Sequence, residues 1–215
     1  MKRFIQVVNI ISIAILILSL SIAIPIYFRP FYYWQIKPLN IEKASKLSYE
    51  QIRYSYDCIM NYLTLFQKFS VGGLRYSENG KAHFHDVRIL FIVNFVMIFV
   101  SLTIVILIFV LRKKKGYKKE GKFSDAFYSA ISLLTIFVFL VFFAVFDFDT
   151  LFKVFHKIFF PGKANWLFNP DYDQIIEILP EKFFFNSMIF ISSILIVTIF
   201  VIITINLVNL KKHKK

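Results

Sequence analysis

Ile89-Leu-Phe-Ile-Val-Asn-Phe-Val-Met-Ile-Phe-Val-Ser-Leu-Thr-Ile-Val-Ile-Leu-Ile-Phe-Val-Leu111 runs for 23 residues without a charge. At about 1.5 Å per residue, a helix of this length crosses the roughly 30 Å hydrocarbon core of a bilayer. Three more runs of the same kind lie at Phe4–Phe28, Ala126–Phe146 and Phe185–Leu210, and none contains Asp, Glu, Lys, Arg or His. The whole chain is 58% hydrophobic and 18% charged, against roughly 45–50% apolar in soluble domains. The expected fold is therefore an all-α membrane protein with four transmembrane helices. Lys2 and Arg3 precede the first run and Ser21-Ile22-Ala23 imitates a cleavage site. That run is nevertheless longer than the roughly 7–15 apolar residues of a signal peptide, so it is expected to stay as an anchor.

Charge orients these spans. Lys2 and Arg3, the loop 112–125 and the tail 211–215 hold 13 of the 26 basic residues but only Glu120 and Asp125 among the acids. Of the formal +13, these pieces carry +11 and the remaining segments +2. Excess Lys and Arg marks the cytoplasmic side, which predicts N-in and C-in. The same charge suits anionic lipid head groups rather than nucleic acid, and His213 in the lysine tail reads as solvated. The single Cys58 excludes an internal disulfide and a multi-cysteine metal site; it reads as structural.

The segments 29–88 and 147–184 are then extracytoplasmic and long enough for a small cap of short helices and a β-hairpin. Tyr27, Phe28, Phe31, Tyr32, Tyr33 and Trp34 follow the first run, where amphipathic rings settle at an interface. Ser48 and Gln51 have capping-box spacing and open a helix reaching about Leu65, with Tyr62 near its end. Glu78-Asn79-Gly80-Lys81 predicts a two-residue hairpin turn. On the extended strand that follows, His83 and His85 share one face. Asp149 or Thr150 is expected to cap a helix from Leu151 to Phe160, with His156 among phenylalanines and Pro161-Gly162 as its stop. Asn169-Pro170-Asp171 is expected to start another short helix, stopped by Pro180. Trp166 and Phe168 fall on the loop between the two.

No HExxH, GxSxG, Walker, CxxC or dinucleotide-binding motif occurs. The chemistry-bearing residues left in the cap are His83, His85 and His156. Histidine titrates near neutrality, so a pair can act as base and acid. Each also has a plain reading as an interfacial or core residue.

The stretch Asn79–Phe91 (NGKAHFHDVRILF) carries the pattern HF-x-DV-basic-x-LF. FHKIFF at 155–160, NWLFNP at 165–170 and ILPEKFF at 178–184 follow in order. In these blocks the chain resembles the lipoprotein intramolecular transacylase family. The resemblance implies transfer of the sn-2 acyl chain of a lipoprotein's diacylglyceryl group to the α-amine of the same molecule's N-terminal cysteine, giving a lyso-form lipoprotein. It also implies two histidines where the cap meets the membrane. His156 matches one of them, and either His83 or His85 the other.

The substrate's amine, with an ordinary pKa of about 7.7–8.0, would be the nucleophile, which fits the missing serine and cysteine motifs. His156, kept neutral by its rings, is expected to accept the amine proton, and His83 or His85 to protonate the departing glyceryl oxygen, or the reverse. Arg88, Tyr62 and the Trp166 indole N–H are the candidate oxyanion donors. Asp86 is expected to orient a histidine or to pair with Arg88. No cofactor is implied; the partners are the diacylated lipoprotein and membrane lipid. The competing expectations are a metal-dependent hydrolase built on His83, His85, Asp86 and His156, and a non-catalytic membrane scaffold. A transporter is disfavoured by spans without ionisable groups.

Overall fold

The computed structural model describes residues 2–116 and 121–212, over 139–146 by backbone alone. His213 and five further charged residues of the basic segments, Lys118, Lys119, Glu120, Lys214 and Lys215, lie outside the described residues. In chain order the helices are α1 Lys2–Tyr27, α2 Pro30–Tyr33, α3 Ile41–Ser45, α4 Tyr49–Thr64, α5 Glu78–Lys115, α6 Asp125–Phe146, α7 Phe148–Phe159, α8 Ile175–Ile178 and α9 Glu181–Lys212.

Two expectations are corrected. Among the described residues there is no strand, so the β-hairpin does not form. Three described helices, not four, are long and apolar enough to cross a membrane: α1, α5 and α9. The Ala126–Phe146 run belongs to α6, whose stretch Asp125–Val138 counts only as a shorter apolar helix.

The hairpin fails because Asn79-Gly80 opens a helix. Ser77 acts as its N-cap: its Oγ accepts from the Gly80 N–H at 2.9 Å, and its carbonyl accepts from Lys81 N–H at 3.0 Å. The Asp173 carboxylate, distant in sequence, accepts from the Ser77 N–H at 2.7 Å and from the Ser77 hydroxyl at 2.8 Å. A Cβ on Gly80 would run into Asp173 Oδ1 and Phe168 Cε1. The glycine therefore serves a close approach rather than a reversed turn, and α5 continues unbroken for 38 residues. Glu78 in its first turn and Arg112–Lys115 in its last complement the helix dipole.

The chain divides into two units. The first comprises Met1–Ile24, Asn94–Phe146 and Phe190–Lys215. Ala130, Leu133, Leu195 and Ile199 form its apolar centre. A buried carboxylate, Asp125, accepts from Gln6 Nε2 at 3.0 Å and Asn9 Nδ2 at 2.6 Å, and pairs with Arg112 at 2.7 Å.

The second unit comprises Pro25–Val93 and Asp147–Ile189. Its core gathers Tyr32, Ile36, Ile41, Ile52, Tyr56, Ile59, Leu63, Phe84, Ile175 and Ile178. Tyr32 stacks on Tyr56 at 3.8 Å and its hydroxyl donates to the Ile178 carbonyl at 2.7 Å, so the ring's polar end is satisfied where the ring is buried. The Ser48–Gln51 capping box forms at the start of α4 as its spacing predicts. The cap of α7 lies earlier than expected: Asp147 Oδ1 accepts from Thr150 N–H at 3.0 Å. Asn169–Asp173 forms turns, and the helix expected there is only the single turn α8, which ends directly before Leu179-Pro180.

Candidate functional site

At about 100° per residue, positions two apart on an α-helix diverge by about 200°. His83 and His85, expected on one face, therefore point to opposite sides of α5. The structure sorts the candidate residues accordingly.

On one side, His83 is 6% exposed and lies against Phe160, Phe168 and His156, with ring centroids 5.0, 5.4 and 5.7 Å away. His156, 7% exposed, comes from the amphipathic α7: Val154, Phe155, Ile158 and Phe159 are exposed while His156 is buried. Its ring packs on Phe152 at 4.3 Å and on Trp166 at 4.6 Å, the latter stacked. Trp166 is held by its own indole N–H, which donates to the Lys163 carbonyl at 3.1 Å. That donor, an expected oxyanion ligand, is thus already engaged.

One turn along from His83, Asp86 accepts from Lys163 Nζ at 2.6 Å and from Asn165 Nδ2 at 2.9 Å. It pairs with Lys163 rather than with Arg88, one of the two roles expected of it. The turn Pro161-Gly162 and the loop behind it so bring Phe160, Trp166 and Phe168 to the two histidines, and Lys163 and Asn165 to Asp86. Lys163 lies in a Pro-Gly loop with no local signal, and Asn165, although it opens the NWLFNP block, has nothing in its neighbourhood that reveals its partner.

On the other side, His85 is exposed, with its Nδ1 3.5 Å from the Tyr62 hydroxyl, at the limit of a hydrogen bond. The Arg88 guanidinium stands 4.7 Å over the Tyr62 ring and 5.1 Å over that of Phe66. Tyr62 and Arg88 therefore gather around His85, away from the His83 face. The donors expected for a metal are split between the two faces, and among the described residues no group of three or more His, Cys, Asp or Glu is arranged to hold a metal ion. A cavity of about 400 Å³ in this unit lies at Leu74–Ser77 and Asp171–Tyr172 rather than at the histidines.

His83 and Asp86 precede Ile89, where the uncharged run of α5 begins. Burial, followed by the neighbouring His156, lowers the His83 pKa from 6.5 to about 4, and Asp86 only partly opposes this. The His83 Nδ1 is buried without a hydrogen-bond partner. Burial also lowers His156, but its Nδ1, 2.7 Å from the Phe152 carbonyl, works the other way. A carbonyl only accepts, so Nδ1 carries the hydrogen and Nε2 holds the basic lone pair of the neutral ring. At Asp86 burial favours the acid, and the bonds from Lys163 and Asn165 outweigh it, holding the carboxyl below the usual range. At neutral pH the site is a pair of uncharged imidazoles packed among aromatic rings, beside a Lys163–Asp86 ion pair.

Residues 7–184 match the family model described as lipoprotein intramolecular transacylase Lit. Among solved structures, the chain is similar to the membrane integral lipoprotein intramolecular transacylase Lit from Bacillus cereus, with 26% identity, a TM-score of 0.88, and coverage of 100% of this chain and 97% of that one. A histidine-to-arginine and a histidine-to-alanine variant of that Bacillus cereus protein also match, each at 25% identity and a TM-score of 0.82. They cover 100% of this chain and 94% and 96% of their own. No curated protein matched.

Proposed function

This chain belongs to the lipoprotein intramolecular transacylase family, a family of membrane acyltransferases acting on lipoproteins, and on that premise we propose that His83 and His156 catalyse its acyl transfer. The substrate is a diacylated bacterial lipoprotein. The α-amine of its N-terminal cysteine attacks the sn-2 ester carbonyl of its own diacylglyceryl group. The C–N bond forms, the bond from carbonyl carbon to glyceryl oxygen breaks, and the products are an amide and a free sn-2 hydroxyl on the same molecule.

His156 takes the amine proton at Nε2. Its Nδ1–H bond to the Phe152 carbonyl favours the resulting cation. Two positive imidazoles this close repel, so the pair carries at most one extra proton and His83 stays neutral. The proton on His156 then goes to the departing glyceryl oxygen, to which the neutral His83 donates a hydrogen bond. This changes the expected division of labour: a ring with a pKa of about 4 is a poor source of a proton at neutral pH. Lys163, half exposed at Asp86, is a cation whose charge reaches His83 and is the best candidate to face the developing oxyanion. Phe152, Phe160, Phe168 and Trp166 confine amine and ester and supply their orientation without a covalent enzyme intermediate.

The single observation that supports this reading best is the His83–His156 pair, two imidazoles brought together by segments 73 residues apart and held uncharged. Excess lysine and arginine at the ends of α1, α5 and α9 supports a reading in which those ends face the cytoplasm and the histidines act at the extracytoplasmic side of the cell membrane.

The test is to express the protein in a bacterium lacking N-acylation and to fragment the N-terminal lipopeptide of a reporter lipoprotein by tandem mass spectrometry. Wild type moves one acyl chain from glyceryl to amine at unchanged mass, and His83→Gln and His156→Gln do not. A lipopeptide that keeps its free amine while wild-type protein is correctly inserted overturns the proposal.

A further inference from the structure

The first unit holds a second polar site that acyl transfer does not use. A cavity of about 280 Å³ is lined by Asn9, Ile13, Val105, Phe109, Arg112, Ser124, Asp125 and Ala126. Its apolar wall comes from Ile13, Val105, Phe109 and Ala126. Its polar end is built around the buried Asp125, which receives Gln6, Asn9 and Arg112.

Asn9 is 7% exposed; its Nδ2 donates to Asp125 at 2.6 Å, yet its Oδ1 is buried with no hydrogen-bond partner. Rotating the amide offers no escape, because it would set Oδ1 against the carboxylate. A buried acceptor without a donor costs about 1–3 kcal/mol, so the site is built to receive a donor. The cations lie close by. The Arg112 side chain keeps 22% of its surface exposed beyond its bond to Asp125, and the Lys113 ammonium stands 4.8 Å over the ring of Phe109, itself part of the wall.

We infer that this cavity binds one anionic glycerophospholipid whose head group bears a free hydroxyl, of the phosphatidylglycerol class. The phosphate meets Arg112 and Lys113, the head-group hydroxyl donates to Asn9 Oδ1, and the start of an acyl chain lies along Ile13, Val105 and Phe109. The volume falls just below the range of about 300–1,000 Å³ for small-molecule sites, enough for a head group while the chains stay in the bilayer. An ethanolamine head group offers a donor too, but its ammonium would approach two cations. Basic pockets between membrane helices commonly take anionic head groups.

The experiment is native mass spectrometry of the full-length protein released from detergent after incubation with an equimolar mixture of phosphatidylglycerol and phosphatidylethanolamine, with and without soluble glycerol phosphate. The expected result is one retained phosphatidylglycerol, preferred at least tenfold and not displaced by glycerol phosphate. Val105→Trp, which fills the cavity and leaves the Asp125 bonds alone, lowers retention at least tenfold. Lys113→Gln, at the rim, lowers it a few-fold. The proposal is overturned if the two lipids are retained equally, if Val105→Trp retains phosphatidylglycerol like wild type, or if glycerol phosphate displaces the lipid, which would mark a plain phosphate site.

Discussion

His83 and His85 are two residues apart on α5 and differ in almost everything that matters for chemistry. His83 is walled by Phe160, Phe168 and His156, lacks a partner at Nδ1 and has its pKa lowered to about 4. His85 is exposed, with its Nδ1 3.5 Å from the Tyr62 hydroxyl, whose ring lies under Arg88. The same side chain is a proton-transfer candidate on one face of a helix and an interfacial group on the other. What differs is the company: α7 and the 160–168 loop cover the first face, and Tyr62 at the end of α4 and Phe66 just beyond it border the second.

The sharpest way to break this comparison is to remove each ring in turn. His156→Gln and His83→Gln should each lower the transfer rate by about 10²–10⁴-fold, the usual contribution of positioned acid–base groups. His85→Gln should stay within about threefold, a smaller effect than any catalytic group supplies. Lipopeptide fragmentation over time measures all three. Equal losses at His83 and His85 would erase the distinction between the faces. Lys163→Met should come next, with a loss of about 10–100-fold if its ammonium faces the oxyanion. Lys163→Arg should recover part of that loss.

Acidity tests the burial of His83 without reference to activity. Its folded pKa of about 4 lies below the ordinary 6.5, so the unfolded chain binds the extra proton first. The folded state therefore keeps its full stability above about pH 6.5 and loses it as pH falls towards 4. Thermal unfolding in detergent should show wild type losing stability relative to His83→Gln across that window. His85→Gln should run parallel to wild type.

Gly80→Ala separates close approach from helix propensity. Alanine gains about 1 kcal/mol as a helix former, but its Cβ meets Asp173 and Phe168, and overpacking costs about 1–3 kcal/mol. A net loss of thermal stability is expected, with transfer reduced because Phe168 also packs on His83. The smallest effect belongs to Tyr62→Phe, which should change stability by no more than about 0.5 kcal/mol through its hydroxyl and leave transfer unchanged.

Much of the second unit was legible in local patterns. The Ser48–Gln51 box and the burial of His156 among rings follow from spacing, because helix caps and helix faces are short-range properties. The Asn79-Gly80 pair misled for an equally physical reason. Its hairpin preference is worth about as much as any local turn signal, and the Asp173 carboxylate, 96 residues from Ser77, supplies bonds to the helix start that no local window contains. Once α5 begins at Glu78, the shared face of His83 and His85 disappears with the strand. The Lys163–Asp86 and Trp166–His156 pairings were likewise invisible, since a loop side chain has no period to reveal its direction.

Composition and charge by themselves determined that this is a membrane protein built from apolar helices, and the HF-x-DV and FHKIFF blocks pointed to its family. Those conclusions need only transfer free energies and the order of residues along the chain. Which histidine joins His156 and which cation meets Asp86 were decided by tertiary structure alone. They depend on the direction of side chains and on partners far away in sequence, and one-dimensional patterns hold neither.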